Sequence, residues 1–248
     1  MDIICDTNIW YNIGMGNIDL SKLSSDDKLI GNYNNIDELA HTTQIISFPD
    51  VTRKAIQSLY NSAHKIILDP PFIHLIKLHN PDFKIDMQDH IEPMVEFTKA
   101  ISQGSNIDSS KIDEFKTYNE ERKKILQEAA NTLNNEADTI KKAIKNKNFK
   151  NKEDRMPSVR ELISTYASEQ RGGQHLPSDY DWSKIELLEN VILEFFAGLE
   201  KGAYRTTAND WYDFFQLAYV QPGQKIWTME SKWNNMIDAA GMNKYRYQ

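Results

Sequence analysis

Four acidic residues of this sequence lie inside or directly beside apolar segments rather than among other surface charges. They are Asp6 in IICDTN, Glu38 in NIDELAH, Asp213 in WYDFFQ and Glu230 in IWTMES. A buried carboxylate is unfavourable unless it meets a cation or hydrogen-bond donors. Hard divalent cations prefer oxygen ligands, and the sequence offers neither a cysteine cluster nor an HExxH motif. The four acids therefore predict a shared site for a hard divalent cation.

Asp6 also has a simpler interpretation. It follows a short apolar segment, Asp2–Cys5, and precedes a helical pattern that begins at Thr7. An aspartate in this position commonly accepts hydrogen bonds from the free N–H groups of the next helix. Sites in open α/β sheets, however, form at the carboxyl ends of strands. Capping explains Asp6 taken alone, whereas a catalytic role needs partners from elsewhere in the chain.

The elements that would carry these acids alternate between strands and helices. Short β-branched or apolar runs predict four strands: Asp2–Cys5, Lys28–Asn32, Lys65–Leu68 and Lys225–Thr228. Helical spacing of apolar residues predicts helices at Asn34–Ile46 and Asp50–Tyr60, a helix that opens with a capping-box pattern at Ser183 and stops at Gly202, a helix at Thr207–Val220, and one after Glu230. Strands separated by helices indicate βαβ units and a parallel sheet.

The middle of the chain has a different pattern. No strand is predicted from Ile91 to Glu169, and the apolar residues from Ile112 to Ile144 follow the period of one long polar helix. Met156-Pro157 starts a further helix, because proline fits a first helical turn. We therefore expect a discontinuous α/β core formed by residues 1–84 and 180–248, interrupted by an α-helical insertion at 85–179.

The acids and their surroundings resemble the PIN-domain nuclease family. The resemblance lies in Asp6-Thr7-Asn8 after the first strand, in Glu38-Leu39, in the late helix Asn209–Val220, and in Thr228-Met229-Glu230 after the last strand. All four segments occur in the family's order, at the two ends of the chain and not in its middle. The last acid is usually aspartate in the family, whereas Glu230 has a longer side chain. The resemblance implies a PIN-like three-layer α/β/α core with a mainly parallel sheet.

For function, the resemblance implies a metal-dependent endoribonuclease that hydrolyses RNA phosphodiester bonds with Mg²⁺ or Mn²⁺. Asp6 would be the central ligand, with Asp213 beside it and Glu230 more distant. Glu38 would be a direct or water-mediated ligand, or would orient the attacking water. Asn8 and Thr228 would hydrogen-bond the ligands or a phosphate.

Three further features have both a functional and a structural interpretation. Asp210, three residues before Asp213, would either join the site or cap its helix and offset the helix dipole. Arg205 precedes the acidic helix, where it would contact the scissile phosphate or face solvent. A basic run begins at residue 141 and would either bind nucleic acid or end a solvated helix. The lysines of that run with a proposed nucleic-acid role are Lys141, Lys142, Lys145 and Lys147.

Composition limits the expected location and partners. The single cysteine, Cys5, excludes internal disulfides and predicts a reducing, cytoplasmic environment. No apolar run is long enough to span a membrane, and no signal peptide is expected at the N-terminus. The formal net charge of -7 means that a polyanion would have to be held by a local basic patch or by metal ions.

The sequence leaves several functional questions open. RNA is the expected substrate, with DNA as the alternative, and toxin-type members of the resembled family commonly have an inhibitory protein partner. The main competing hypothesis is a catalytically weak or inactive protein of the same fold that binds RNA or protein. It is motivated by Glu230 and by the large insertion, and fold does not guarantee activity. The nuclease hypothesis requires the carboxylates of Asp6, Glu38 and Asp213 to converge.

Overall fold

The computed structural model describes the chain except residues 85–87, 147–152, 170–172, 174 and 203–204. Within the described part, four strands form one sheet in which every pairing is parallel. The strands are β1 (Asp2–Cys5), β2 (Lys28–Asn32), β3 (Lys65–Ile67) and β4 (Lys225–Trp227), in the order β3-β2-β1-β4. The predicted α/β class with a mainly parallel sheet is therefore confirmed.

Strand β1 is central to the topology, because it pairs with β2 on one edge and with β4 on the other. The chain builds outwards from β1 to β2 and β3, and it later returns to the opposite edge of β1 to form β4. Such a reversal leaves a crevice outside the carboxyl ends of the two neighbouring strands, β1 and β4, where open α/β sheets commonly bind ligands. In this chain the crevice lies just after Cys5 and Trp227.

Helices pack on both faces of the sheet. Ile3 and Leu29 face one apolar core, whereas Ile4, Ile30 and Ile226 face the other, as the alternation of side chains along a strand requires. The first core is covered by α1 (Thr7–Gly14), α2 (Tyr33–His41), α3 (Gln44–Ser47), α4 (Pro49–Ser62) and α6 (Gln88–Ser102). The second core is covered by α5 (Pro71–His79), α8 (Met156–Glu169), α9 (Glu186–Lys201), α10 (Ala208–Leu217) and α11 (Ser231–Ala239). This arrangement is compatible with a three-layer α/β/α fold.

The longest helix, α7 (Ile112–Asn146), belongs to the region predicted as an insertion. Phe115 near its start packs against the first core, and Ala130 is buried in the second. The described residues between 88 and 169 contain helices and no strand, as predicted. They bury apolar side chains in the same two cores as the sheet. None of the described helices is both long and apolar enough to cross a lipid bilayer.

Three local predictions differ from the structure. The helix predicted at Asn34–Ile46 is two helices, because Thr42 has an extended backbone where two β-branched threonines interrupt the helical run. Helix α5 was not expected, although Pro71 occupies its first turn as proline commonly does. The helix predicted from Ser183 is preceded by a 3₁₀ turn, since Asp181 accepts the capping hydrogen bonds from Ser183.

Gly14 provides a test of the packing between α1 and α4. A Cβ atom at this position would lie 2.5 Å from the backbone carbonyl oxygen of Lys54, which cannot rotate away. Gly14→Ala should therefore push the helices apart and lower the free energy of unfolding by about 1–3 kcal/mol, the usual cost of overpacking, as measured by urea denaturation. Lys54→Ala is the control, because it removes an exposed side chain and keeps that oxygen. Wild-type stability in Gly14→Ala would contradict the close contact.

Candidate metal centre

Asp6 is the first residue after β1 and the N-cap of α1. Its Oδ1 accepts a hydrogen bond from the backbone N–H of Thr7 at 2.7 Å, so the residue does cap the helix. Its Oδ2 accepts hydrogen bonds from Asn8 Nδ2 and Thr228 Oγ1, both at 2.7 Å. Hydrogen bonds from the nearby residue Asn8 and from Thr228, 222 residues away, thus fix the orientation of the carboxylate, which capping alone does not require.

The segment after β4 is tied to the segment after β1. Thr228 Oγ1 donates to Asp6 and accepts the backbone N–H of Glu230 at 3.1 Å. Asn8 Oδ1 accepts the backbone N–H of Met229 at 3.3 Å. Asn8 and Thr228, which the sequence suggested as supporting residues, therefore both contact Asp6 and hold the Glu230 backbone beside it.

Three of the four predicted acids converge. Asp6, Asp213 and Glu230 each contribute one carboxylate oxygen, and the three oxygens lie within 4.8 Å of one another. Asp6 follows β1, Asp213 lies on α10 and Glu230 is the N-cap of α11, so three separate elements build the group. Glu230 is exposed, and its longer side chain still reaches the other two acids. The group occupies the crevice at the carboxyl ends of β1 and β4.

Glu38 lies beside this group without belonging to it. Its helix, α2, packs on the opposite face of the sheet from α10, which carries Asp213. The Glu38 carboxylate is half-buried, and it is close enough to Asp6 for the charge of Asp6 to raise its pKa. The predicted ring of four acids is therefore a group of three with Glu38 as a neighbour. The convergence of Asp6, Glu38 and Asp213 that the nuclease hypothesis required is met for Asp6 and Asp213 only, with Glu230 as the third acid in place of Glu38.

Crowding and burial change the proton affinity of these acids. Burial raises the pKa of Asp6 to about 6, against hydrogen bonds from Thr228, Thr7 and Asn8 that lower it. Burial and the charges of Asp6 and Glu230 raise the pKa of Asp213 to about 9. The pKa of Glu38 is raised to about 8, mainly by burial and then by Asp6.

The acids have no cationic side chain as a counter-charge in the described part of the chain. There, none of Asp6, Glu38, Asp213 and Glu230 forms an ion pair with lysine, arginine or histidine. A divalent cation would favour their ionised forms and offset their mutual repulsion. The arrangement is thus suited to holding a hard cation through carboxylate oxygens.

Two buried amide side chains that sequence reasoning missed hold the backbone next to Asp6. Gln216 Nε2 and Asn35 Nδ2 both donate to the carbonyl oxygen of Cys5, at 2.7 and 3.2 Å. Asn35 also donates to the hydroxyl of Thr7 at 3.1 Å. Gln216 interrupts an apolar run three residues after Asp213, and Asn35 precedes Glu38 by three residues. Their spacing of three residues from an acid, about one helical turn, is the feature of the sequence that could have indicated these two residues.

Asp210 does not belong to the group of three carboxylates, and the predicted basic residues lie on other segments. Asp210 takes the capping alternative, because its carboxylate accepts the backbone N–H and the hydroxyl of Thr207 and also forms an ion pair with Lys232. Arg205 is exposed in the segment before α10. Of the basic run, Lys141, Lys142 and Lys145 belong to the last turns of α7, whereas Lys147 lies outside the described residues.

Comparison of the chain with models of protein families, with curated proteins and with solved structures found no significant match. The resemblance to PIN-domain nucleases therefore stays a prediction, carried by the residues and order of segments named above.

The raised pKa values predict how the stability of the metal-free protein depends on pH. Asp6, Glu38 and Asp213 keep their protons in the folded state at pH values where the unfolded chain, with carboxyl pKa values near 4, has lost them. Unfolding therefore releases protons in this pH range, and a rising pH favours unfolding. The stability contributed by the protonated carboxyls is complete below about pH 4 and is lost as the pH rises towards 9. We expect the melting temperature in EDTA to fall between pH 6 and pH 9, as measured by differential scanning fluorimetry.

Asp213→Asn tests whether the pH dependence comes from these acids. It removes the carboxyl whose pKa, about 9, is higher than those of Asp6 and Glu38. It should raise the melting temperature in EDTA more at pH 9 than at pH 6. Asp50→Asn changes an exposed acid on α4 and should leave the wild-type pH profile unaltered. Parallel profiles for Asp213→Asn and the wild type would show that Asp213 is not a crowded, buried carboxylate.

Proposed function

We propose that this chain is a PIN-like, divalent-metal-dependent endonuclease that hydrolyses RNA phosphodiester bonds. The observation that carries the proposal is the convergence of Asp6, Asp213 and Glu230 at the crevice between β1 and β4. Three elements from opposite ends of the chain supply these acids. A fold does not need three like charges in one place for its stability, so their convergence favours a ligand of opposite charge.

The donor set fits Mg²⁺ or Mn²⁺. Both are hard cations that bind carboxylate oxygens, and the three acids supply no nitrogen or sulfur ligand. Asp6, Asp213 and Glu230 would hold the ion. The hydrogen bonds from Asn8 and Thr228 orient Asp6 as outer partners commonly orient metal ligands.

A bound divalent cation would supply a polarised water and neutralise charge on the phosphate. The residues of the chain would supply position and proton transfer. The Asp6 carboxylate keeps one orientation because donors from two segments bind it. Glu38 stands beside the three acids, and a bound cation would favour its ionised form, which would orient the attacking water or accept a proton from it.

The PIN-like fold is supported by where the resembling segments lie. Asp6 and Thr228 follow neighbouring parallel strands, and Glu38 and Asp213 come from helices on either side of the sheet. Glu230 was the departure that favoured an inactive protein. Its carboxylate lies within the group of three, so the longer side chain does not exclude it from a metal site.

Metal binding is the first test of the proposal. Mn²⁺ or Mg²⁺ should raise the melting temperature of the wild type at pH 8, because a ligand that binds only the folded state stabilises it, by about 2.7 kcal/mol at 100 times the dissociation constant. Asp213→Asn should show a smaller shift, while Asp50→Asn should match the wild type. An equal shift in Asp213→Asn would place the ion elsewhere on the protein.

RNA cleavage is the second test. Labelled structured RNA and a DNA of the same sequence would be incubated with the protein in Mg²⁺, Mn²⁺ or EDTA. We expect metal-dependent cleavage of RNA, and a loss of at least about 100-fold in Asp213→Asn, since losing a ligand should exceed the 10–100-fold cost of losing its outer partners.

Asp50→Asn serves again as the control, because it removes an equal charge from an exposed acid that does not belong to the acidic group. Full activity of Asp213→Asn would contradict the proposed site. Metal and RNA binding without cleavage of either nucleic acid would favour the non-catalytic hypothesis, and preferential cleavage of DNA would correct the substrate.

A further inference from the structure

Asn35 lies in the first turn of α2, and its side chain is completely buried. Its Nδ2 donates hydrogen bonds to the carbonyl oxygen of Cys5 at 3.2 Å and to the hydroxyl of Thr7 at 3.1 Å. Its Oδ1 accepts the backbone N–H of Asn32 at 3.0 Å and the indole N–H of Trp10 at 3.2 Å. An amide side chain offers two donor hydrogens and one oxygen with two lone pairs, so Asn35 uses its full hydrogen-bonding capacity.

The four partners of this amide belong to three elements of the sheet and its first helical layer. Cys5 ends β1, Asn32 ends β2, and Thr7 and Trp10 belong to α1. A buried polar group is unfavourable unless its hydrogen bonds are made, and a fully satisfied one favours a single arrangement of its partners. The Asn35 amide therefore holds α2 against the ends of β1 and β2 and against α1.

The two donor hydrogens of Asn35 bind the residues on either side of Asp6. Cys5 precedes Asp6 and Thr7 follows it, so one side chain holds both ends of the turn that carries this carboxylate. Glu38 follows Asn35 by three residues, about one turn of the same helix. Asn35 therefore links the Asp6 turn directly to the helix that carries Glu38.

Helix capping accounts for only part of this arrangement. The capping box at the start of α2 uses the hydrogen bond between the Asn35 side chain and the Asn32 backbone. A side chain exposed to water can make such a bond, whereas the two bonds that flank Asp6 require the amide to be buried. Capping therefore leaves the contacts with Cys5 and Thr7 unexplained.

We infer that Asn35 is a positioning residue that holds the Asp6 turn and the Glu38 helix at a fixed spacing, so that Glu38 stays beside the acids that would bind metal. The inference rests on the proposed metal centre. Gln216 also donates to the carbonyl oxygen of Cys5, but no hydrogen bond among the described residues joins Gln216 to α1 or α2. The link between Asp6 and Glu38 is thus assigned to Asn35 and not to Gln216.

The first experiment needs no metal and no substrate. In protein labelled with ¹⁵N-tryptophan, each of the five tryptophans gives one indole N–H peak, and Trp10→Phe identifies the Trp10 peak by its loss. Asn35→Ala removes the acceptor of the Trp10 N–H, so it should move that peak more than the other four. Asp50→Asn should leave all five peaks in place. An unmoved Trp10 peak in Asn35→Ala would overturn the inference, whatever the function of the site.

The second experiment measures Mn²⁺ affinity by calorimetry. Asn35→Ala should weaken binding about 10-fold, as for the loss of a group that orients metal ligands. Ser58→Ala is the matched control, because the Ser58 hydroxyl makes a buried hydrogen bond to the carbonyl oxygen of Trp10 and contacts neither neighbour of Asp6. Its affinity should stay within about twofold of the wild type, since it orients no ligand.

A double-mutant cycle with Glu38→Gln distinguishes positioning from a general loss of stability. If Asn35 places Glu38, then Asn35→Ala should weaken Mn²⁺ binding by a smaller factor in the Glu38→Gln background than in the wild type. A role confined to the stability of the fold gives the same factor in both backgrounds. Should Asn35→Ala fail to fold, Thr7→Val carries the same comparison, with binding about threefold weaker because one of the two bonds that flank Asp6 is lost.

The outcomes separate this inference from the proposed function. Equal Mn²⁺ affinities for Asn35→Ala and the wild type, an equal loss in Ser58→Ala, or equal factors in the two backgrounds would overturn the role of Asn35 and leave the proposed nuclease in place. A wild type that binds Mn²⁺ without cleaving nucleic acid, together with the expected losses in Asn35→Ala, would refute the nuclease and support the role of Asn35. A wild type that binds no Mn²⁺ would overturn both.

Discussion

The acidic group depends on how the end of β1 is held. This strand must pair with a neighbour on both edges and still present the Asp6 carboxylate at its end. The backbone N–H of Asp6 donates to the carbonyl of Trp227 at 3.0 Å, which extends the pairing with β4 one residue beyond β1. The carbonyl of Cys5 accepts from Gln216 and Asn35, which come from helices on opposite faces of the sheet. Because the main chain is held on all sides at this point, the Asp6 side chain starts from a fixed position. The other acids can then be assembled around it.

Much of the architecture could be predicted because its signals are local. Short apolar runs gave the strands their correct places, and helical spacing located α7, α9 and α11. The acids were visible for a similar reason, since a charge within an apolar run stands out without knowledge of its neighbours. The interruption between α2 and α3 and the existence of α5 were missed, because a weak break or a short apolar helix leaves little periodicity to detect.

The composition of the site was harder to predict, because it depends on contacts between distant segments. Asp210 and Asp213 lie three residues apart, and their neighbours decide their different roles. Thr207 and Lys232 both bind the Asp210 carboxylate, which therefore caps α10. Glu38 lies on a helix that packs on the other face of the sheet, a placement that no spacing in the sequence specifies. The buried amide donors Asn35 and Gln216 were missed for the same reason. An amide within an apolar run predicts burial, and the partner that its N–H meets depends on how the layers are assembled.

The region predicted as an insertion contributes α7, a helix that contacts the elements on both sides of the acidic group. Near the start of α7, Arg122 forms an ion pair with buried Asp37, the residue before Glu38. Further along, Asn134 hydrogen-bonds the backbone N–H and carbonyl of Thr206 at 2.8 and 3.0 Å, immediately ahead of α10 and its Asp213. One helix thus links the two layers that carry acids to the crevice from opposite faces. Like charges held close together repel, and a site that must keep them at a fixed spacing needs support from rigid elements as well as from the sheet. The long polar helix α7 supplies such a contact on each face.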